Sequence, residues 1–121
     1  MDGARAIILF GHGSRDPLWR LPIDAVAERI RSQQAATPVR VAFLELEQPD
    51  LATAAGELAA AGARRITIVP MFLGTGRHAR EDLPLLVDGV RRSRPEIEFL
   101  LQPAVGENAL LLDLLAKIAL A

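Results

Sequence analysis

Short apolar runs alternate with stretches of helical periodicity along the whole chain. The runs predict four strands, at about residues 6–10, 39–44, 66–71 and 97–101. After each run, apolar side chains recur every three or four residues, which is typical of helices that bury one face. Four β–α units in succession favour a parallel sheet with right-handed crossovers. The pattern predicts an α/β fold with helices on both faces of a four-stranded parallel sheet, in one domain over residues 1–121.

Proline and capping residues mark the expected ends of the helices. Asp16 followed by Pro17 is a typical N-terminal pair and predicts the start of the first helix. Pro22 lies within the same stretch, so that helix is either kinked there or begins there. Pro49 is predicted to open the second helix, and Gly62 fits the position just past its C-terminus.

The same pattern of apolar residues, prolines and charges predicts the remaining helix and strand ends and the buried faces of the helices. The third helix is expected to stop at Pro95 and the last to start near Asn108, while Glu96 and Glu98 indicate that the fourth strand lies at a sheet edge. The predicted buried positions of the first three helices are Ile23, Val26, Ala27, Ile30, Leu51, Ala55, Leu58, Ala59, Leu83, Leu86, Val87 and Val90. The last helix carries Leu111, Leu114, Leu115 and Ile118 at helical spacing.

Composition narrows the class of protein. Half of the 121 residues are hydrophobic and 24% are charged, which is typical of a globular protein. The net charge of −1 gives no basis for binding nucleic acid or an anionic membrane. The absence of cysteine excludes disulfides, thiolate metal sites and a cysteine nucleophile. Neither a signal peptide nor a membrane span is predicted, so we expect a cytoplasmic protein.

Two histidines are the main candidates for chemistry. His12 follows the first predicted strand and His78 follows the third. In an open parallel sheet, ligands bind beyond the carboxyl ends of the strands. If the first strand lies between the second and third, His12, Glu45 and His78 converge there. Two imidazoles and a carboxylate suit a divalent first-row metal; Glu47, rather than Glu45, is an equally consistent inward carboxylate.

Other familiar sites do not fit the loops around these histidines. The segment 74–78 lacks the spacing and lysine of a phosphate-binding P-loop, and the segment 11–14 is not a nucleophile elbow. The glycine spacing of a dinucleotide site is absent after the first strand. A histidine phosphatase would require an arginine before His12, where Gly11 stands.

Three blocks of the sequence, residues 10–17, 43–49 and 69–78, resemble the signature blocks of the class II tetrapyrrole chelatases. The resemblance is greatest to the small sirohydrochlorin cobaltochelatases (CbiX), with the siroheme ferrochelatases (SirB) as near relatives. It implies insertion of a divalent metal into sirohydrochlorin, without ATP or an organic cofactor, on the route to cobalamin or siroheme. Co²⁺ is expected first, with Fe²⁺ or Ni²⁺ as alternatives.

The resemblance also assigns roles to residues. His12 and His78 would be the catalytic and metal-binding histidines, with one or both accepting pyrrole protons, and Glu45 the matching acidic residue. Larger members of the family carry two lobes in one chain, so a single lobe implies a homodimer. The alternative is a noncatalytic metal- or tetrapyrrole-binding protein of the same fold.

The acidic substrate implied by the resemblance gives a purpose to basic residues near the histidines. Arg15, Arg77 and Arg80 are candidates for charge-assisted contacts with substrate carboxylates. Ser14 either donates a hydrogen bond to the substrate or caps the following helix, the second being favoured. Residues 71–73 are expected to form an apolar wall for the macrocycle or to belong to the core.

Overall fold

The computed structural model describes residues 4–121 as a four-stranded parallel sheet flanked by helices. The strands are β1 (Arg5–Gly11), β2 (Val39–Phe43), β3 (Arg65–Pro70) and β4 (Glu98–Leu101). The helices are α1 (Leu21–Gln33), α2 (Leu51–Ala60), α3 (Arg77–Ser93) and α4 (Ala109–Leu120), with 3₁₀ turns at Pro17–Arg20 and Val105–Glu107. The predicted α/β class and order of elements are confirmed.

The order of strands in the sheet is β2-β1-β3-β4. β1 therefore lies between β2 and β3, as convergence of the candidate residues requires, and β4 lies at an edge as predicted. Gly11 pairs with Phe43, and Phe10 pairs with Pro70. Because these pairs are at the ends of the three strands, the loops that follow leave the sheet at one common edge.

Helices cover both faces of the sheet. On one face, α2 and α3 pack over a core whose fully buried members include Ile8, Phe10, Leu58, Ile66, Ile68 and Val87. On the other face, Ile23 and Ala27 of α1 pack against Leu9, Val41 and Phe43. Burial of these apolar side chains is the main force holding the layers together.

The start of α1 differs from the prediction. The Asp16 carboxylate accepts a hydrogen bond from the Leu18 N–H at 2.9 Å, so it caps the 3₁₀ turn Pro17–Arg20 rather than an α-helix. α1 begins only at Leu21, and Pro22 lies in its first turn. A proline is tolerated there because the first N–H groups of a helix have no intrahelical partner. Of the two alternatives, the structure has the helix begin there, one residue before Pro22.

The start of α2 also differs from the prediction. Asp50, not Pro49, precedes the first residue of α2, and its carboxylate accepts the Thr53 N–H at 2.8 Å. The Pro49 carbonyl instead accepts the Phe43 N–H at 2.9 Å.

Leu86, predicted to be buried, is 39% exposed. It lies about 100° around α3 from the buried Val87, beside a surface cavity.

α4 has the expected start but none of the expected packing. The Asn108 side chain accepts the Leu110 N–H at 2.9 Å, as in a typical N-cap. No side chain of α4 is buried, and its main contacts are with the 3₁₀ turn Val105–Glu107. None of the helices within residues 4–121 is long and apolar enough to cross a membrane.

Candidate functional site

His12 directly follows β1 and is held beside Glu45 by the backbone. The hydrogen-bond ladder between β1 and β2 continues past both strands. The Leu44 N–H donates to the Gly11 carbonyl at 2.9 Å, and the Glu45 N–H donates to the His12 carbonyl at 3.1 Å. As a result, His12 Nε2 lies 3.8 Å from Glu45 Oε2.

Gly13 allows this close approach of the two loops. Its φ of +98° lies in the left-handed region that side chains disfavour. A Cβ added at Gly13 would also collide with the Glu45 carbonyl oxygen. The glycine after His12 is therefore required by the geometry that sets His12 beside Glu45.

His78 reaches the same carboxylate from the opposite side. It lies in the first turn of α3, rather than at the strand end where the sequence pattern placed it. His78 Nε2 is 3.5 Å from Glu45 Oε1, whereas His12 faces Oε2. The three side chains are between 43% and 64% exposed, so they are open to solvent and to a ligand.

Asp82 is a fourth member of this cluster that the sequence analysis missed. It lies one helical turn after His78, and its Oδ2 is 3.1 Å from His78 Nε2. Residues four apart on a helix share a face, so the pair was detectable from spacing. To recognise the pair from the sequence, however, one would have to know that α3 begins before His78.

Glu47, the alternative carboxylate, has a different position. The Glu47 N–H donates to the Glu45 carbonyl at 2.8 Å across Leu46, whose φ is +68°, which forms a tight γ-type turn. Beyond it, Glu47 Oε1 accepts the Ser14 N–H at 2.9 Å. Ser14 Oγ accepts the Asp16 N–H at 3.0 Å, so it orders the loop rather than capping α1. Glu47 joins two loops, and Glu45 alone stands between the histidines.

Arg20 is a further partner of the Glu47 side chain. Its guanidinium lies 3.9 Å from Glu47 Oε2 and packs on the Phe43 ring, 4.8 Å from the ring centre. A hydrogen bond to the Asp24 carboxylate raises the pKa of Arg20. No motif in the sequence marks Arg20 as part of the site.

The arginines predicted to contact substrate surround the histidines at the surface. Arg77 Nε pairs with Glu81 at 3.0 Å, and its side chain is 83% exposed. Arg80 donates to the Thr75 carbonyl at 2.8 Å, and Arg15 is exposed on the loop after His12. Their contacts with substrate stay a prediction.

A cleft of about 490 Å³ opens next to His12 on the α1 side of the sheet. Its volume lies within the range of small-molecule sites. Met71, Phe72 and Leu73, the expected apolar wall, line it together with Trp19. A smaller cavity of about 320 Å³ is lined by Glu45, His78 and Asp82, among others. His12 lines the first cavity and Glu45 lines the second, and their side chains lie 3.8 Å apart.

Within residues 4–121, no three histidine, aspartate or glutamate side chains converge as a finished metal site. Glu45 instead meets each histidine through a different oxygen. Possible metal ligands therefore lie in two pairs, His12 with Glu45 and His78 with Glu45. That all three residues bind one ion together stays a prediction.

The chain matches the CbiX family model over residues 6–119. A sirohydrochlorin cobaltochelatase of Methanothermobacter thermautotrophicus is 40% identical over 78 residues, which cover 64% of this chain and 54% of that protein. The chain thus spans about half the length of the first curated relatives it matches, with 54–57% of each covered.

Solved structures give the same result. A structure described as the cobalamin (vitamin B12) biosynthesis CbiX protein of Marinobacter aquaeolei has a TM-score of 0.83 and 28% identity, covering 95% of this chain and 93% of that one. The sirohydrochlorin chelatase SirB of Bacillus subtilis subspecies spizizenii, in complex with cobalt, has a TM-score of 0.74 and 29% identity, covering 84% and 43%. By sequence and by structure, this chain belongs to the CbiX family.

Proposed function

We propose that this protein is a sirohydrochlorin chelatase that inserts Co²⁺, or alternatively Fe²⁺ or Ni²⁺, into sirohydrochlorin without ATP. The observation that carries the proposal is that His12 and His78 face the two oxygens of Glu45 beside a largely apolar cleft. Relatives named for cobalt and for iron insertion support the reaction class. We include a homodimer and a cytoplasmic location in the proposal.

The pairing around Glu45 suits a metal that must be bound and then released. Ligand atoms around a four-coordinate ion, with bonds of about 2.0–2.2 Å, lie roughly 3.3–3.6 Å apart. The His78–Glu45 separation of 3.5 Å falls in this range, and the His12–Glu45 separation of 3.8 Å is slightly longer. Two protein ligands leave coordination positions free for water and then for ring nitrogens.

Insertion also requires removal of two pyrrole protons. A neutral imidazole accepts a proton in the physiological pH range, and a carboxylate beside it stabilises the resulting charge. One nitrogen cannot bind the metal and accept a proton simultaneously. We therefore propose that His12 and His78 divide these tasks, with Glu45 as a shared ligand or hydrogen-bond partner.

The surroundings suit a flat, acidic macrocycle. Met71, Phe72 and Leu73 present apolar surface to the ring, and desolvation of that surface favours binding. At the rim, Arg15, Arg77 and Arg80 offer charge to the ring's carboxylates. For Arg77, binding would exchange the Glu81 carboxylate for one from the substrate.

Absorbance spectroscopy tests this function. Purified protein is mixed with sirohydrochlorin and each of Co²⁺, Fe²⁺ and Ni²⁺, and the metallated spectrum is followed against a protein-free control. Catalysed appearance of that spectrum is expected with at least one metal. A shifted spectrum at one equivalent of protein, without turnover, would instead support the noncatalytic binding protein.

A further inference from the structure

Trp19 is the only exposed aromatic side chain within residues 4–121. The chain has one tryptophan, four phenylalanines and no tyrosine. The four phenylalanines are at most 8% exposed, whereas Trp19 is 64% exposed. Tryptophan is enriched at binding surfaces, because covering its ring removes a large apolar area from water. The neighbours of Trp19 in the fold indicate which ligand covers the ring.

The backbone on both sides of Trp19 is held by hydrogen bonds. Trp19 lies in the 3₁₀ turn Pro17–Arg20, and its N–H donates to the Asp16 carbonyl at 3.0 Å. The next side chain, Arg20, donates to the Asp24 carboxylate at 2.8 Å. Because the turn is already ordered, little backbone entropy is lost when a ligand binds against the indole.

Trp19 lines the cleft of about 490 Å³ that opens next to His12. Phe43 and Phe72, which also line this cleft, are buried and form its floor. Trp19 and Leu73 are the large apolar lining residues that stay mostly exposed, so they lie at its mouth. A ligand that fills the cleft beside His12 therefore covers the indole.

The two exposed leucines near Trp19 do not share this position. Leu18 and Leu21 are both mostly exposed, but neither lines the cleft. In this segment only the tryptophan is a large apolar side chain that combines exposure with a place in the cleft wall. The exposure of Trp19 is therefore connected with the cleft rather than with a general apolar surface.

The ligand of the proposed function has the shape that an indole recognises. A tetrapyrrole macrocycle is flat and conjugated, and aromatic rings stack on such systems with a gain beyond the burial of apolar area. For the flat bases of nucleic acids, loss of one aromatic platform weakens binding by about 5–150-fold. A similar gain is available to a macrocycle that lies against Trp19.

We infer that Trp19 is a substrate-binding residue whose indole stacks on the tetrapyrrole and holds it in the cleft beside His12. This inference rests on the proposed function, from which it takes its ligand. An indole has an N–H donor but no acceptor, so it neither binds the metal nor accepts a pyrrole proton. An interaction made equally with the bound substrate and with the transition state lowers KM and leaves kcat unchanged.

Metal-free binding of sirohydrochlorin tests this role. Trp19→Phe keeps an aromatic face without the N–H, Trp19→Leu keeps apolar bulk without an aromatic face, and Trp19→Ala removes both. Leu18→Ala is the matched control, since Leu18 is an exposed neighbour that does not line the cleft. Circular dichroism and thermal melting show that each variant is folded. Isothermal titration calorimetry gives the Kd, and the chelation assay gives KM and kcat.

We expect the Kd to rise about tenfold in Trp19→Ala and Trp19→Leu, and to stay within about threefold of the wild type in Trp19→Phe and Leu18→Ala. KM should follow the same order, while kcat stays within about twofold because the indole takes no part in metal insertion. Because the chain has one tryptophan, quenching of its fluorescence by sirohydrochlorin should come from residue 19 alone.

Three results would overturn the stacking role. A Trp19→Leu variant that binds like the wild type would show that apolar bulk is enough. A Trp19→Phe variant as weak as Trp19→Ala would show that the indole N–H, rather than the ring face, carries the contact. A loss of kcat with unchanged KM would show that Trp19 acts on the reaction and not on binding.

The same samples separate this inference from the proposed function. A wild type that binds sirohydrochlorin through Trp19 but does not metallate it would contradict the proposed reaction and leave the stacking role intact. Metallation by the wild type, with unchanged Kd and KM in Trp19→Ala, would overturn the stacking role and leave the reaction intact. A wild type that does not bind sirohydrochlorin would overturn both.

Discussion

The Ser14 N–H donates to Glu47 Oε1 at 2.9 Å, and this bond distinguishes the two glutamates of the loop after β2. Glu47 accepts this bond and so holds the loop that follows His12, and the Glu47 side chain is only 12% exposed. Glu45 is left free to face both histidines. A structural role for one carboxylate and a chemical role for the other follow from their different partners.

Alanine substitution should separate these two roles. Glu47→Ala leaves the Ser14 N–H without its acceptor and removes the carboxylate 3.9 Å from Arg20, so it should lower the free energy of unfolding by about 1–3 kcal/mol. Glu45→Ala should change stability by less than about 0.5 kcal/mol and lower the rate of chelation or alter the metal preference. Urea unfolding and the chelation assay measure both effects. If Glu45→Ala were the destabilising change, the assignment would be wrong.

Asp82 should act on the reaction through His78. The Asp82 carboxylate lies 3.1 Å from His78 Nε2, and a negative charge at this distance stabilises the positive charge that the imidazole acquires when it accepts a proton. Asp82→Asn should therefore lower kcat by about tenfold, with little change in the KM for sirohydrochlorin. Asp88→Asn, on the same helix and half-exposed, is the matched control. Equal kinetics for the two variants would remove Asp82 from the site.

Gly13 and Gly62 offer a test of the loop geometry. Both have φ near +100°, but only a Cβ at Gly13 meets a neighbour, the Glu45 carbonyl. Gly62→Ala should cost about 1–2 kcal/mol for the backbone conformation alone. Gly13→Ala adds a clash with Glu45, so its loss of stability should be larger. Thermal or denaturant unfolding compares them, and equal losses would mean that the two loops are not in contact.

The strands and their sequence along the chain were predictable because they depend on short-range patterns, whereas the central position of β1 was only a condition for the convergence of the candidate residues. β1 and β3 are apolar runs bounded by glycine, proline or charge, and His12 follows the first directly. The errors arose where tertiary contacts decide. Asp16 caps a 3₁₀ turn instead of a helix. Glu47 could not be told from Glu45 without the γ-type turn at Leu46. The exposure of α4 is invisible to periodicity, since its leucines have the spacing of a packed helix.

The cap of α2 predicts a specific dependence of stability on pH. Hydrogen bonds from Thr53 lower the pKa of the Asp50 carboxyl. A lowered folded-state pKa means that the carboxylate stabilises the protein above its unfolded-state pKa, near 3.9, and that this contribution disappears as pH falls through the lower folded value.

Asp50→Ala should therefore cost about 1 kcal/mol at pH 7, the typical value for an N-cap. The difference between wild type and variant should shrink as the pH is lowered below about 4. Unfolding free energies measured at several pH values provide the comparison. A gap that stays constant from pH 7 to pH 3 would show that the ionised carboxylate does not support the cap.

The most direct test of the central claim is the rate of Co²⁺ insertion into sirohydrochlorin by His12→Ala and His78→Ala, followed by absorbance. Arg29→Ala, an exposed change on α1, serves as the control. A general base contributes about 10²–10⁴-fold, so each histidine variant should lose at least about 100-fold in rate while keeping the wild-type circular dichroism spectrum and melting temperature. A folded His78→Ala variant that metallates sirohydrochlorin at the wild-type rate would contradict the site described.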